Sequence, residues 1–548
     1  MYTGKYECLE IFARPDGPDQ GSIVLTDCEG RILKKKELEH EYGTWVRLPV
    51  EKDSIYQVKT EHAWAALAYL SGREDILEEG VCVLDPCNDF KELEGEAYRR
   101  FCDTPYREQY HFTPIVNWLN DPNGLCWYQG YYHLFYQYNP FGQEWNNMYW
   151  GHAASKDLVH WKHLPIVLEP QKEILNDQEL KGGAFSGSAL PQEDKVLFFL
   201  TRHIGPQEDG SDTVQYQTMM DSRDMVNFSP EKEIIREKPK GANFDFRDPK
   251  AGEFGDRCYL VLGSCMEGKG SILLYESEDK EHWHYRCPLI TESQPIRTIE
   301  CPDFFKLDGT YVAMGAWMDY YDQQGRFQPS RYYIGKWNGR RLHTENEQWV
   351  DFGSNCYAAQ TFSHNGRRIF MGWVSDFYKE HVVTEPGTYG SMTIPRELHV
   401  RQGRIYALPV KEIYSLRREK LFSGEIRELK KEHIPGNQYY ARITFENQGD
   451  FQIIMGKDGE KEIRLVAESG KVFLKTQGVK SSTIEFLSSV KECRSAEIFV
   501  DRRTVEVYLN DGEDVGTKLF YNSRSEGYFF LKSKELSQTE LFTMDSVW

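Results

Sequence analysis

The chain contains 548 residues, which is too long for one ordinary domain and predicts roughly three or four structural units. Its formal net charge of -19 comes without any run or stripe of basic residues, which excludes nucleic acid and anionic membranes as main partners. Aromatic residues make up 14% of the chain, a share that suits either β-rich cores or a site that stacks on the flat faces of sugars or bases.

The N-terminus lacks the apolar segment of a secretory signal, and no uninterrupted apolar run approaches the ~18 residues of a membrane span. These features predict a cytoplasmic protein without a membrane partner. The 12 cysteines are scattered, with neither C-x-x-C pairs nor histidines at zinc spacing. This pattern predicts reduced thiols and no metal site.

Residues 1–105 predict a small β-rich accessory domain. Short segments of strand-like polarity, such as Ser22–Thr26 and residues 55–60, are separated by acidic stretches. None of these segments carries a chemical signature. Two roles therefore stay open for this domain, shaping the rim of a site or forming a homo-oligomer contact.

From residue 106 to residue 410 one pattern recurs five times, a short turn followed by a hydrophobic strand. The turns recur at intervals of roughly 50 to 65 residues and begin at Gln129, Glu193, Gly255, Asp308 and Asn365. A second motif, S-x-D-x-x-x-aromatic, accompanies three of the repeats and begins at Ser155, Ser222 and Ser277. Helical spacing is missing between the strands, so the repeat predicts a five-bladed β-propeller rather than βαβ units.

Equivalent positions in the repeats are expected to meet. Counting back seven or eight residues from each turn gives Asp121, Ser186, Asp248, Glu300 and Tyr357. Because the innermost strands of a propeller line its central channel, these side chains are predicted to converge on one axial pocket. Three of the five are carboxylates, which ordinary solvent-facing turns would not explain.

Residues 411–548 contain seven or more short strands between turn residues, among them segments 451–455, 463–466 and 505–509. Strands at this spacing predict a β-sandwich beside the propeller. The predicted fold is therefore all-β, with an accessory domain, a propeller and a sandwich in chain order.

Three carboxylates in one pocket suit the hydrolysis of a glycosidic bond. One attacks the sugar or activates water, and a second protonates the departing oxygen. A third, ionised carboxylate holds ring hydroxyls and stabilises the positive charge of the transition state. Crowding makes a carboxyl group harder to ionise, which keeps one of them fit to act as the acid. The alternative use, a calcium or magnesium cage, is disfavoured because the sequence lacks a D-x-D-x-D loop.

Eight ordered motifs of the chain resemble those of glycoside hydrolase family 32, the family of invertases, inulinases and levanases. They are W-L-N-D-P-N-G from residue 118, F-Y-Q-Y-N-P from 135, W-G-H-A from 150, F-S-G-S from 185, F-R-D-P from 246, E-C-P-D-F-F from 300, Y-A-A-Q-T-F from 357 and I-P-R-E from 394. The resemblance implies that Asp121 is the nucleophile of a retaining reaction, Glu300 the acid/base and Asp248 the stabiliser of the transition state. No cofactor is expected, because proton transfer and a carboxylate nucleophile complete the reaction cycle.

The same resemblance implies a set of substrate-binding residues, Asn120, Gln137, Trp145, Phe185, Ser186, Arg247 and Tyr357. Trp145 and Phe185 offer apolar walls, and the polar members offer hydrogen bonds to hydroxyls. Two alternatives stay open. Trp145 could belong to the core, and Arg247 could form a salt bridge that orients a neighbouring acid.

Three positions depart from the family pattern. Ile299 stands where the family commonly has Trp, Asn355 stands in a segment that commonly reads D-F-Y-A, and Tyr389 is a displaced aromatic residue. These positions are expected at the rim of the pocket, where they would influence the choice of leaving group.

The sequence thus predicts a cytoplasmic, retaining, exo-acting β-fructofuranosidase that takes short substrates such as sucrose, kestose-type oligosaccharides or inulobiose. A fructosyltransferase on the same site is one alternative, and a carbohydrate-binding propeller without catalysis is another. The inverting arabinosidases and xylosidases also use three carboxylates, but the W-L-N-D-P-N-G and E-C-P-D motifs disfavour them.

Overall fold

A computed structural model describes residues 1–40, 42–177, 179–205, 213–384 and 386–548. The fold is mostly β, with 59% of residues in strands and 5% in helices, which confirms the predicted all-β class. Within the described ranges no helix combines the length and the apolar character that a membrane crossing requires. The cytoplasmic location stays a prediction.

Two small sheets form from the first hundred residues. The five-stranded sheet contains, in spatial order, Thr44–Pro49, Cys8–Pro15, Ala63–Ser71, Cys82–Asp85 and Lys91–Leu93. The three-stranded sheet contains Ile32–Glu37, Ser22–Thr26 and Gln57–Glu61. Two short helices, Ile76–Glu79 and Glu96–Cys102, complete this part. Its apolar core extends to Ala154 and Leu164 of the next unit, so the two units pack against each other.

Five sheets of four main strands follow, which confirms the predicted propeller. Blade 1 contains Asn117–Tyr128, Tyr131–Asn139, Tyr149–Ser155 and Trp161–Leu168, joined by the short parallel strand Thr388–Tyr389. Blade 2 contains Lys181–Pro191, Val196–Gly205, Val214–Ser222 and Lys232–Ile235. Blade 3 contains Ala242–Phe254, Arg257–Met266, Lys269–Ser277 and His284–Thr291. Blade 4 contains Thr298–Leu307, Thr310–Met318, Ser330–Trp337 and Leu342–Trp349. Blade 5 contains Cys356–His364, Arg367–Val374, Arg396–Arg401 and Arg404–Pro409, with Ser391–Met392 paired to its second strand. Helix Lys172–Leu175 links the first two blades.

The predicted turns join the first and second strands of every blade. In blade 4, Asp308 and Gly309 have φ angles of 47° and 84°, the left-handed geometry that closes a tight hairpin. The S-x-D motif lies at the end of the third strand, where Asp157 Oδ1 accepts the backbone N–H groups of Val159 and His160. This motif is therefore a structural turn of the blade.

A two-residue bulge interrupts the first strand of every blade, at or directly after the predicted site position. Two residues of the first strand oppose one residue of the second, at 120–121, 185–186, 248–249, 301–302 and 358–359. A bulge bends its strand and re-aims the neighbouring side chains. The bulges therefore explain why the predicted side chains turn towards the propeller axis.

After residue 410, nine strands follow one another in a continuous hydrogen-bonded order, and a tenth, Arg417–Pro435, pairs with Glu526–Met544; together they enclose a shared apolar core. They are Arg417–Pro435, Tyr439–Phe445, Phe451–Asp458, Lys461–Glu468, Lys471–Gln477, Phe486–Leu487, Ser495–Val500, Thr504–Leu509, Asp514–Leu519 and Glu526–Met544. Two 3-10 helices, Lys411–Leu416 and Lys480–Thr483, lie among them. Glu526–Met544 pairs with one layer through residues 530–533 and with the other through residues 537–543, so it joins the two layers of the sandwich.

A buried charge network joins the propeller to the sandwich. The ring of His111 lies between two sandwich carboxylates, with Nδ1 2.9 Å from Asp501 and Nε2 3.1 Å from Glu506. Arg396 of blade 5 donates to Glu506 at 2.7 Å and lies 3.4 Å from Asp351. All five side chains are buried, so their charges are balanced by one another rather than by water.

The limits of the three predicted domains stay a prediction.

Candidate active site

A cavity of about 370 Å³ opens on the propeller axis and collects side chains from every blade. Its lining includes nine of the ten predicted site residues, namely Asp121, Asp248, Glu300, Asn120, Gln137, Trp145, Phe185, Arg247 and Tyr357. Ser186, the tenth, lies behind the lining and donates to Asp121 at 2.5 Å. The structure therefore brings the predicted residues together around one space.

Asp121 is held at the cavity wall by donors on both carboxylate oxygens. Asn120 Nδ2 donates to Oδ1 at 3.1 Å, and Gln137 Nε2 donates to Oδ2 at 3.1 Å. The Ser186 hydroxyl and the Cys301 thiol also donate to Oδ2. Burial raises the pKa of Asp121, and the hydroxyl of Ser186 opposes that rise.

Asp248 sits at the bulge of blade 3 with a φ of 65°, a left-handed backbone that a non-glycine residue rarely adopts. Its Oδ2 accepts the backbone N–H of Cys301 at 2.9 Å, which ties blade 3 to blade 4. Burial raises the pKa of Asp248 to about 7, and the carboxylates of Glu300 and Asp121 add to the rise while Arg247 opposes it. The strained backbone thus holds a carboxyl group that is difficult to ionise.

Glu300 is held by one neighbouring residue on each carboxylate oxygen. The guanidinium of Arg247 donates to Oε1 through Nη2 at 2.8 Å and Nε at 3.2 Å, and the Tyr357 hydroxyl donates to Oε2. Arg247 also pairs with Asp245, which lies 3.3 Å from Arg297 Nε. Arg247 therefore lines the cavity and orients Glu300 through an ion pair, and its contact with substrate stays a prediction.

Two aromatic side chains form an apolar wall. Trp145 meets the ring of Phe185 edge-on, with centroids 6.3 Å apart. Phe185 stacks on His203 at 4.3 Å, and burial lowers the pKa of that histidine to about 3. Trp145 is half-buried, lines the cavity and also packs against the apolar core behind it.

The remaining lining residues were missed by the sequence analysis, namely Trp118, His203, Thr213, Phe244, Asp245, Arg297, Met318, Gln328, Trp373 and Phe377. Trp118 stands within the W-L-N-D motif, so that motif carried a signal for it. Asp245 precedes Arg247 by two residues in the same strand, which is the spacing of side chains on one strand face. Gln328 and Phe377 lie in loops, and no periodic pattern marks them.

The expectation that the three departures lie at the rim is wrong for two of them. Ile299 is fully buried in the apolar core between blades 3 and 4, because successive strand residues face opposite sides and Glu300 faces the cavity. Asn355 is also buried and accepts a hydrogen bond from Lys518 of the sandwich at 2.8 Å. Tyr389 stacks on Trp118 at 4.2 Å, which places it directly behind a lining residue.

One cluster in the described part of the chain has ligand atoms close enough for a metal ion, formed by Glu108, His111 and Asp501. Both ring nitrogens of His111 already contact carboxylates, and Asp501 accepts backbone N–H groups from residues 109–111. The ligand atoms of His111 and Asp501 are therefore already engaged in hydrogen bonds within the protein. The cluster belongs to the junction between propeller and sandwich, not to the cavity.

Family models, related sequences and solved structures all point to the same protein family. Residues 111–409 match the model of the glycosyl hydrolases family 32 N-terminal domain, and residues 412–545 match that of the family 32 C-terminal domain. A sucrose-6-phosphate hydrolase of Zymomonas mobilis is 29% identical over 461 residues, which cover 78% of this chain and 88% of that protein. A levanase of Bacillus subtilis is 31% identical over 472 residues, covering 78% of this chain and 68% of that protein. A solved structure of a glycoside hydrolase family 32 protein from Bifidobacterium adolescentis superposes with a TM-score of 0.94 at 31% identity, covering 100% of this chain and 99% of that one.

Proposed function

Because the chain belongs to glycoside hydrolase family 32 and is a hydrolase of β-fructofuranosidase type, we propose that it removes single fructose units from short β-fructosides with retention of configuration. The observation that carries this proposal is the convergence of Asp121, Asp248 and Glu300 on one axial cavity. Two carboxyl groups on opposite sides of a glycosidic bond suffice for its cleavage.

In the first step, Asp121 attacks C2 of the fructosyl ring while Glu300 protonates the departing glycosidic oxygen. Of the described residues, only Asn120 donates to Asp121 Oδ1, whereas three side chains donate to Oδ2. Oδ1 is therefore the oxygen with a lone pair left for attack. In the second step, Glu300 takes a proton from water, the water oxygen bonds to C2, and the bond from C2 to Asp121 breaks.

Asp248 is proposed to hold ring hydroxyls and to stabilise the positive charge that develops at C2. Its raised pKa of about 7 would leave it partly protonated in the empty site at neutral pH. A hydroxyl donor and a nearby positive charge both favour the ionised form. Substrate binding and the transition state would therefore favour the ionised form of Asp248, whose negative charge stabilises the positive charge at C2.

The size of the cavity supports an exo-acting enzyme. Its volume of about 370 Å³ lies near the lower end of ligand pockets, which run from roughly 300 to 1,000 Å³. Such a space suits one fructosyl ring and part of its leaving group. A polymer bound in mid-chain would need a longer groove.

The charges of the lining favour neutral substrates over sugar phosphates. Both arginines of the described lining are paired with carboxylates, Arg247 with Asp245, Asp248 and Glu300, and Arg297 with Asp245 and Asp319. A phosphate group would have to break such a pair or approach the carboxylates of the cavity, both of which cost free energy. We therefore propose that sucrose is a better substrate than sucrose 6-phosphate.

The test measures fructose release from sucrose, sucrose 6-phosphate, 1-kestose, inulobiose, levanbiose and inulin. Asp121→Asn is compared with Asp256→Asn, which changes an exposed acid in the hairpin turn of blade 3. We expect release from the short neutral substrates, loss only in Asp121→Asn, and no oligosaccharide products from inulin. Absence of release by the folded wild type would overturn the proposal.

Two product analyses complete the test. In buffer that contains methanol, a retaining enzyme forms methyl β-fructofuranoside, and the α anomer would contradict a fructosyl-enzyme at Asp121. At high sucrose concentration, free fructose is expected to exceed fructosylated sucrose. The reverse ratio would identify a fructosyltransferase.

A further inference from the structure

We propose that the N-terminal unit, residues 1–105, positions the wall of the active site through the loop that carries Trp145. This loop, residues 140–148, connects the second and third strands of blade 1 and is named the Trp145 loop below. The inference rests on the proposed function only in the choice of substrate. The contacts themselves run from Arg14, Tyr42 and Gly43 to this loop.

Phe141 anchors the Trp145 loop in the N-terminal unit. Its ring is fully buried and meets Phe12 edge-on at 5.9 Å and Tyr42 edge-on at 5.7 Å. Gly43 lies directly against this ring, and a Cβ atom at position 43 would overlap it. Phe12, Tyr42 and Gly43 of the N-terminal unit thus pack directly around the Phe141 side chain of the loop.

Polar groups fix the backbone of the same loop. Arg14 donates to the carbonyl of Phe141 at 3.2 Å and to the carbonyl of Tyr42 at 3.0 Å. Asn139 Nδ2 donates to the Tyr42 hydroxyl and to the carbonyl of Glu144, each at 2.9 Å. Since Asn139 is fully buried, it has no water to replace these partners, and the contacts reach the residue that precedes Trp145.

The Trp145 loop is also linked to Asp121. The backbone N–H of Trp118 donates to the carbonyl of Gly142 at 3.1 Å, and Trp118 Nε1 donates to Asn120 Oδ1 at 2.7 Å. Asn120 in turn donates to Asp121. A shift of the loop would therefore move the Trp145 side chain and disturb the hydrogen bonds that support Asp121.

The test variant is Tyr42→Phe, which keeps the ring against Phe141 and removes only the hydroxyl that Asn139 contacts. The matched control is Tyr2→Phe, which removes a hydroxyl bonded to Asp53 at the exposed surface of the same unit. We expect Tyr42→Phe to lower kcat/KM for sucrose about 2- to 12-fold. The urea midpoint of unfolding is expected to fall slightly below that of the control, because the buried Asn139 Nδ2 loses one of its two acceptors.

A double-mutant cycle with Trp145→Ala separates positioning from general stability. If Tyr42 acts through the wall, Tyr42→Phe has little further effect on kcat/KM once Trp145 is removed. An equal effect in both backgrounds, or an effect on the unfolding midpoint alone, would overturn the inference. A fall in kcat/KM with Tyr2→Phe as large as with Tyr42→Phe would do the same.

A fluorescence measurement keeps the inference testable without turnover. The difference in emission between wild type and Trp145→Phe isolates the signal of Trp145, and acrylamide quenching reports its exposure. Tyr42→Phe is expected to increase this quenching, and unchanged quenching contradicts the inference. If the wild type cleaves no fructoside, the proposed function fails, whereas a quenching change still supports the positioning role.

Discussion

The junction between propeller and sandwich gives a prediction whose size follows from the structure. His111 is fully buried between Asp501 and Glu506, and the proposed perturbation is His111→Gln. Burial alone lowers the pKa of His111, but the two carboxylates outweigh burial and raise this pKa to about 10. An unfolded histidine titrates near ~6.5, so the folded protein binds this proton more tightly than the unfolded chain.

The sign of the pH dependence follows. Because the folded-state pKa of His111 is the higher one, its contribution to stability is complete below about pH 6.5 and is lost as the pH rises to about 10. The linkage corresponds to about 5 kcal/mol at acidic pH, and breaking a buried ion pair typically costs about 3–5 kcal/mol. We therefore expect His111→Gln to lower the free energy of unfolding by about 3–5 kcal/mol at pH 6, and by about 3 kcal/mol less at pH 9.

The assay is urea unfolding at both pH values, followed by tryptophan fluorescence and by circular dichroism. The matched control is His160→Gln, since His160 forms a half-exposed ion pair with Asp157 at 2.7 Å and should contribute less than about 1 kcal/mol. Equal destabilisation by His111→Gln at the two pH values would refute the charged state assigned to His111. A loss no larger than that of the control would refute the role of the network at the junction.

Three further predictions concern the cavity. Ser186→Ala removes a donor that lowers the pKa of Asp121, so the acid limb of the kcat/KM profile should shift to higher pH; an unshifted limb argues against Asp121 as the group that must ionise. Cys301→Ala removes a buried thiol donor to Asp121 and should lower kcat/KM about two- to tenfold, measured on sucrose, whereas an unchanged value would show that this contact is passive. Tyr357→Phe removes the hydroxyl bonded to Glu300 and should lower kcat/KM about 10- to 150-fold without changing the urea midpoint; a loss below about threefold would show that the hydroxyl does not support the acid.

Much of the propeller could be predicted because its signals are local. Turn dipeptides such as Asp308–Gly309 adopt the left-handed geometry that their residue types favour, and the hydrophobic strands follow at once. Repetition then adds long-range information, since equivalent positions in a closed ring must face one axis. For this reason Asp121, Asp248 and Glu300 could be placed in a common pocket without knowledge of any contact.

Other parts depend on contacts between distant segments, which a single sequence does not display. Ile299, predicted at the rim as a departure from the family pattern, directly precedes Glu300, and strand alternation places the two side chains on opposite faces. His111 reaches Asp501 across 390 positions of the chain. The contact of Tyr42 with Asn139 likewise joins two units whose sequences show no shared pattern.

The bulges at the start of every blade have a consequence for how this architecture can acquire new reactions. The pairing around each bulge is made by backbone groups, so the side chain at the cavity position can be exchanged while the strands keep their register. Ser186 and Tyr357 illustrate this freedom, because each holds an acid of a neighbouring blade at a position where other blades carry the acid itself. The propeller thus offers five equivalent positions around its axis at which a side chain can be exchanged. Each exchange can occur separately and leave the core of its blade unchanged.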